Sequence, residues 1–98
     1  MLASITREDS IPRFIIERSL PSMPPEALQA LAKQSIKVAD TMPGVVWIKS
    51  YISESEGKTY CEYEAPNPEA LLEHARRLGI SADRVTLISA EVNPAMFR

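Results

Sequence analysis

Two segments of this chain begin at a proline and end at a glycine, and this pattern restricts the fold more than any other feature. Small and apolar residues recur at helical spacing over about Pro25–Thr41, and Pro43-Gly44 stops that helix. Asn67 is a good cap for a second helix, Pro68–Leu78, which Gly79 ends in a left-handed conformation. The apolar stripe of the first helix consists of Leu28, Leu31, Ala32, Ser35, Val38, Ala39 and Met42.

Strand-forming residues cluster in four short segments that lie before, between and after these helices. The segments span residues 13–18, 45–52, 58–64 and 84–92. Glu54-Ser55-Glu56-Gly57 predicts a hairpin turn between the second and third segments. The register that sets Ser53 opposite Lys58 also pairs Tyr51 with Tyr60, Lys49 with Glu62, and Ser50 with Cys61. Aromatic and opposite-charge pairs stabilise such a ladder, so this register is the one we predict.

The predicted order, strand–helix–strand–strand–helix–strand, is that of the ferredoxin-like α+β fold. It gives a four-stranded antiparallel sheet with both helices on one face. We assign residues 1–12 to a leader, 13–93 to the domain and 94–98 to a tail. A chain of 98 residues buries a modest share of its surface, so pairing with a second copy would add stability. We therefore expect a homodimer of the α/β-barrel kind.

Composition excludes several classes of partner. The formal net charge is −2 with both signs interspersed, so no basic surface for nucleic acid is predicted. No segment approaches the roughly 20 apolar residues that cross a bilayer, and the first residues lack a signal-peptide pattern. The single cysteine, Cys61, allows neither an intrachain disulfide nor a cysteine-rich metal site. We expect a cytoplasmic protein without membrane or nucleic-acid partners.

Alternation along the hairpin separates two faces of the predicted sheet. The side assigned to the helices carries Val46, Ile48, Ile52, Cys61 and Tyr63. The candidate ligand-binding residues on the other side are Glu17, Trp47, Tyr51, Tyr60 and Glu62, with Lys49 beside them. Amphipathic aromatic residues are typical of surfaces that are dry at one end and wet at the other. This face is predicted to be a dimer interface, and two stacked sheets could also enclose a ligand cavity.

Ordinary structural roles are available for the reactive side chains. His74, the only histidine, lies about 90° around its helix from the Leu71–Ala75–Leu78 stripe, at 100° per residue. It is interpreted either as a partly exposed residue bonded to a backbone carbonyl or to Glu73, or as a metal ligand or general base. Cys61 is predicted to be an inert buried thiol.

Acidic residues of the sheet and standard motifs give no further signal for catalysis. Glu17 and Glu62 have Arg18 and Lys49 as predicted salt-bridge partners. The sequence contains no P-loop, dinucleotide fingerprint, zinc-protease motif or nucleophile elbow. These motifs therefore assign no catalytic activity to the chain.

Two segments, residues 13–21 (RFIIERSLP) and 58–66 (KTYCEYEAP), continue through Glu69-Ala70-Leu71 to Glu73-His74-Ala75 and Gly79. Together they resemble a family of small ferredoxin-like proteins catalogued as a domain of unknown function, one branch of which is described as nickel-binding. The resemblance covers roughly residues 13–93 and implies a dimeric ferredoxin-like subunit with a metal site in some relatives. It implies His74 as a metal position, with Cys61 as a second matching position. The nickel-binding branch has more histidines, at places where this chain has Ile16, Glu17, Arg18 and Ile80.

Three functions remain open at this point. The first is a non-enzymatic protein that binds a small ligand or a divalent metal such as nickel, near His74 and the aromatic sheet face. The second is a dimeric α/β-barrel enzyme that acts on a small organic substrate, with Tyr51, Tyr60 and His74 for proton transfer and Glu17 or Glu62 to orient them. The third is an interaction module that only dimerises.

Overall fold

The computed structural model describes residues 11–98, so residues 1–10 of the predicted leader lie outside the described part of the chain. Its elements are β1 (Arg13–Ser19), α1 (Pro25–Asp40), β2 (Val46–Ser53), β3 (Lys58–Glu64), α2 (Pro68–Leu78), β4 (Arg84–Ile88) and a 3-10 turn (Pro94–Phe97). The predicted order of strands and helices is confirmed. β4 ends at Ile88, before the predicted Val92, because Ile88 pairs with Arg13 and the next residue of the partner strand, Pro12, has no N–H to donate.

The four strands form one antiparallel sheet in the order β2-β3-β1-β4, and both helices pack on the same face. This is the ferredoxin-like α+β fold that the element order predicts. The hairpin register is also confirmed, with Ser53 opposite Lys58 and Tyr51 opposite Tyr60. Within residues 11–98, no helix is both long and apolar enough to cross a membrane.

A bulge in β2 overturns part of the predicted facing of the hairpin. The regular pairing is broken between Trp47 and Lys49, so Ile48 is an extra residue and Trp47 lies opposite Tyr63. Trp47 therefore packs against the core on the helix side, and its prediction as an open-face residue is wrong. Val46 and Ile48, predicted to be covered by the helices, are 48% and 39% exposed. A strict period of two cannot predict an inserted residue.

The core lies between the sheet and the helices. Its buried members from the sheet include Phe14, Ile16, Cys61 and Tyr63, and Leu71 and Ala39 join them from α2 and α1. The thiol of Cys61 is free and buried, as predicted. At the start of α2 the Asn67 side chain accepts a hydrogen bond from the Ala70 amide at 2.9 Å. Gly79 ends the helix at φ 72°, as predicted for a left-handed cap.

Candidate ligand-binding cavity

A cavity of about 630 Å³ lies between α1 and the helix side of the sheet, and we call it the helix–sheet cavity. Leu28, Leu31 and Ala32 of α1 line one side, and Trp47, Cys61 and Tyr63 of the sheet line the other. The helix buries Ser35 and Ala39 in its C-terminal half, whereas the apolar residues nearer its N-terminus are only half-buried. The predicted apolar stripe of α1 therefore has two roles. Its C-terminal part packs in the core, and its N-terminal part lines the cavity.

The cavity mouth lies beside the first turns of α1. Pro25, Glu26 and Gln29 are exposed to solvent and also belong to the cavity lining. Leu20 and Ile52 line the cavity from the loop after β1 and from β2. The position of these exposed residues gives a small molecule a route from solvent to the interior without unfolding of either helix.

Arg18 is the charged group at the inner end of this cavity. Its side chain is 2% exposed, on the same side of β1 as Phe14 and Ile16. Its Nη1 atom donates a hydrogen bond to the Ser81 carbonyl oxygen at 2.9 Å, and its guanidinium carbon lies 5.9 Å from the centroid of the Tyr63 ring. Its Nη2 atom is buried and has no hydrogen-bond partner within residues 11–98. A buried cation therefore lines the cavity without a carboxylate partner in the described part of the chain.

Hydroxyl groups add polar character to the lining, on Ser35, Ser50, Thr59 and Tyr63. The Ser35 Oγ and Tyr63 Oη atoms are 3.1 Å apart and share a buried hydrogen bond that joins α1 to β3. Burial raises the pKa of Tyr63, opposed mainly by this hydrogen bond, so its hydroxyl stays protonated at neutral pH. On β2, the Trp47 indole N–H donates to Ser50 Oγ at 2.9 Å. The hydroxyl groups of Ser35, Tyr63 and Ser50 are thus held in position by hydrogen bonds.

His74 lies behind Tyr63 and is fully buried. Its Nε2 atom is 3.1 Å from the Ser35 carbonyl oxygen, and its ring meets the Tyr63 ring edge-on at a centroid separation of 5.3 Å. The predicted bond to a backbone carbonyl is confirmed, whereas the predicted partial exposure is wrong. Glu73 is not its partner, because that carboxylate pairs with Arg76 and Arg77. Burial lowers the pKa of His74, the hydrogen bond to the Ser35 carbonyl opposes this shift, and the nearby Arg18 and Arg77 add to the lowering.

The other predicted site residues lie on the face of the sheet away from the helices, which we call the open face. It brings together Glu17, Lys49, Tyr51, Tyr60 and Glu62. Glu62 pairs with Arg13 at 2.7 Å, and Arg13 also reaches Glu91 at 2.8 Å. The prediction that Arg18 pairs with these acids is wrong, because Arg18 points to the helix side. The Lys49 amine lies 5.8 Å from the centroid of the Tyr51 ring.

The sheet separates these two sets of residues. His74 lies on the helix side, whereas Tyr51 and Tyr60 lie on the open face. The three groups predicted for proton transfer are therefore not brought into one site within a single subunit.

A metal site needs several donor atoms that lie close together. Residues 11–98 contain no group of three His, Cys, Asp or Glu side chains able to hold an ion. The His74 Nε2 atom is engaged by Ser35, and its buried Nδ1 atom has no hydrogen-bond partner among the described residues. Nickel and copper favour sites with several imidazoles. The described residues do not fit such a site within one chain.

The cavity and its cation are the features that sequence reasoning missed. The signal for Arg18 was present, since alternation along β1 sets it on the same side as Phe14 and Ile16. The cavity itself left no signal, because half-buried Leu28 and Leu31 fit the same periodic pattern as closely packed ones.

These observations define the chain as a small ferredoxin-like α+β protein with a cavity beneath its first helix. The chain belongs to the family described as "Nickel responsive protein SCO4226-like", whose model matches residues 14–88. Its structure resembles the crystal structure of SCO4226 from Streptomyces coelicolor A3(2), with 20% identity, a TM-score of 0.73, and coverage of 82% of this chain and 99% of that one. At this identity the likeness shows the fold. Comparison with curated proteins gives no match.

Proposed function

We propose that this chain is a cytosolic, non-enzymatic protein that binds a small ligand in the helix–sheet cavity. The cavity volume of about 630 Å³ carries this proposal, because ligand pockets typically measure roughly 300–1,000 Å³. Its lining also has the usual composition, with mostly apolar side chains and a few fixed polar groups. This puts the ligand on the other side of the sheet from the aromatic face that the sequence favours.

A neutral apolar fluorophore, phenylnaphthylamine, tests this proposal. Ala32 lines the cavity on α1, whereas Ala30 is exposed on the same helix and outside the lining. We expect Ala32→Phe to raise the Kd of the probe by about tenfold or more, since the new ring and the probe compete for one volume. Ala30→Phe, the matched control, should leave the Kd unchanged.

The outcome is read from probe emission and from quenching of Trp47, which lines the cavity. Circular dichroism of each variant verifies that the fold is intact. Two results would contradict the proposal. One is absence of probe binding to the wild-type protein, and the other is an equal rise in the Kd of the probe in Ala32→Phe and Ala30→Phe.

Nickel is the alternative ligand, favoured by the description of the family. The candidate atom is the buried Nδ1 of His74, and the remaining ligands would come from residues outside 11–98 or from a second copy. Calorimetric titration of metal-free protein with nickel, copper, zinc and cobalt separates the two functions. Binding that disappears in His74→Gln would support the metal; no heat from any ion would favour the cavity ligand.

We also propose that the open face pairs with a second copy of this chain. The support is that both helices lie on the other face, while the open face presents Tyr51 at 61% exposure and Val46 at 48%. Light scattering on a sizing column should give a dimer that Tyr51→Glu dissociates. Ile36→Glu, at an exposed residue of α1 with 47% exposure, is the matched control and should remain dimeric. A monomeric wild-type protein would contradict this proposal.

A further inference from the structure

We propose that Arg18 holds the anionic group of the ligand, so that the helix–sheet cavity selects an organic anion with an apolar body. This inference rests on the proposed function, because it names the chemical class of the molecule that occupies the same cavity. It adds the charge of the ligand, the residue that recognises that charge and the direction in which the ligand enters.

The charge balance around Arg18 favours an anion in the cavity. A buried ion without a partner costs several kcal/mol, and buried charges in proteins are therefore usually paired. Glu26 is the acidic residue of the cavity lining, and it is exposed on the first turn of α1 with no ion pair to Arg18. Glu17, the adjacent acid on β1, lies on the opposite face of the sheet. A bound anion would supply the missing negative charge.

The hydrogen-bond donors at the inner end of the cavity suit an oxyanion. The Ser81 carbonyl and the Tyr63 ring hold the guanidinium in place and leave its Nη2 atom without a partner in the described part of the chain. Ser35 and Tyr63 share one hydrogen bond, which uses one of their two hydroxyl hydrogens and leaves the other for a ligand. A planar guanidinium beside a hydroxyl donor is suited to the oxygen atoms of a carboxylate or sulfonate.

Most of the remaining lining is apolar and suits the body of an organic molecule, and its polar members are Glu26, Gln29, Ser50 and Thr59. Leu20, Leu28, Leu31 and Ile52 contribute to this apolar lining. A small inorganic anion would leave most of the volume of about 630 Å³ unfilled. An organic anion that enters with its charged group first would pair Arg18 and also cover these apolar side chains.

Two matched fluorophores test the inference. Anilinonaphthalene sulfonate and phenylnaphthylamine share one aromatic skeleton and differ in the sulfonate group. The wild-type protein should bind the sulfonate about 10- to 100-fold more tightly, since hydrogen bonds to charged groups are worth about 1.5–3 kcal/mol. Arg18→Met should remove this preference, measured as the ratio of the two Kd values. Arg18→Lys keeps the charge without the planar fork and should retain part of the preference.

The outcomes separate this inference from the proposed function. Equal Kd values for the two probes in the wild-type protein would overturn the role of Arg18 and leave the cavity ligand intact. A preference that survives in folded Arg18→Met would overturn it as well. If neither probe binds to the wild-type protein or to the Arg18 variants, the proposed function itself would be overturned. Circular dichroism checks folding. If Arg18→Met does not fold, the wild-type preference together with its reduction in Arg18→Lys decides the inference.

Discussion

The Nε2 atom of His74 lies 3.1 Å from the carbonyl oxygen of Ser35, so the single histidine of this chain ties α2 to α1 at a residue that lines the helix–sheet cavity. Nε2 is the donor in this bond, because a carbonyl oxygen can only accept. The imidazole is fully buried beside Tyr63 and near Arg18, a setting that disfavours a positive charge. The neutral imidazole is therefore the form that the fold stabilises.

The first prediction is that the protein loses stability as pH falls below about 6.5, the unperturbed pKa of histidine. The folded-state pKa of His74 is lowered, so the unfolded chain binds a proton that the folded chain excludes. The stabilising effect is complete above pH 6.5 and declines, by at most about 1.4 kcal/mol per pH unit, until the folded-state pKa is reached. Urea unfolding between pH 5 and pH 8 measures the slope.

His74→Gln is the control for this prediction, because glutamine keeps an N–H donor for Ser35 but does not titrate. Between pH 5 and pH 6.5, the free energy of unfolding should change less steeply with pH in the variant than in the wild-type protein. Identical slopes would mean that His74 does not contribute to the pH dependence.

The second prediction concerns the hydrogen bond between Ser35 and Tyr63, 3.1 Å long and buried. Tyr63→Phe and Ser35→Ala should each lower the free energy of unfolding by about 1–2 kcal/mol, because each leaves a buried hydroxyl group without its partner. The double variant should cost less than the sum, since neither hydroxyl is then left unpaired. Additive losses in urea unfolding would show that the two hydroxyls do not interact.

The third prediction compares two glycines with left-handed backbone angles. Gly79 has φ 72° and open space where a Cβ would lie, whereas a Cβ at Gly44 (φ 81°) would lie 3.3 Å from Pro66 Cδ. Gly79→Ala should therefore cost only the backbone term, about 1–2 kcal/mol. Gly44→Ala should cost more than Gly79→Ala, because the contact with Pro66 is added. The reverse order in thermal unfolding would contradict this explanation.

The fourth prediction is a low pKa for Glu73 on the surface of α2. Hydrogen bonds from Arg76 and Arg77 lower the pKa of this carboxyl to about 2. Carbon-detected NMR titration should show Glu73 ionised well below the range of ordinary glutamates. Replacement of both arginines by glutamine should return the pKa to that range, and a value unchanged by the replacement would exclude the ion pairs.

Local sequence patterns predict most of the fold because each element has its own start and stop signal. Asn67, Pro68 and Gly79 fix α2, and the turn before Lys58 fixes the hairpin register. The bulge at Ile48 has no such signal, and it changes the face on which Trp47 lies. Residues 46–48 could therefore not be oriented from alternation alone, although those after the bulge could.

The candidate site is harder to predict than the fold, because it depends on spacing between elements rather than on pattern within one. The sequence singles out His74, but the burial of this residue depends on how α2 packs against α1. In sequence, Arg18 resembles a surface partner for Glu17 and Glu62, and only the sheet register places it inside. Charged residues are so seldom fully buried that a surface position is the default expectation.

A small molecule bound between α1 and the sheet can be located directly by NMR. Isotope-filtered spectra of the protein with phenylnaphthylamine report which methyl groups lie near the ligand. We predict contacts to Leu28 and Leu31 in the helix–sheet cavity. Contacts to Val46, which is exposed opposite Glu64 on β3, would place the ligand on the open face and contradict the proposed function.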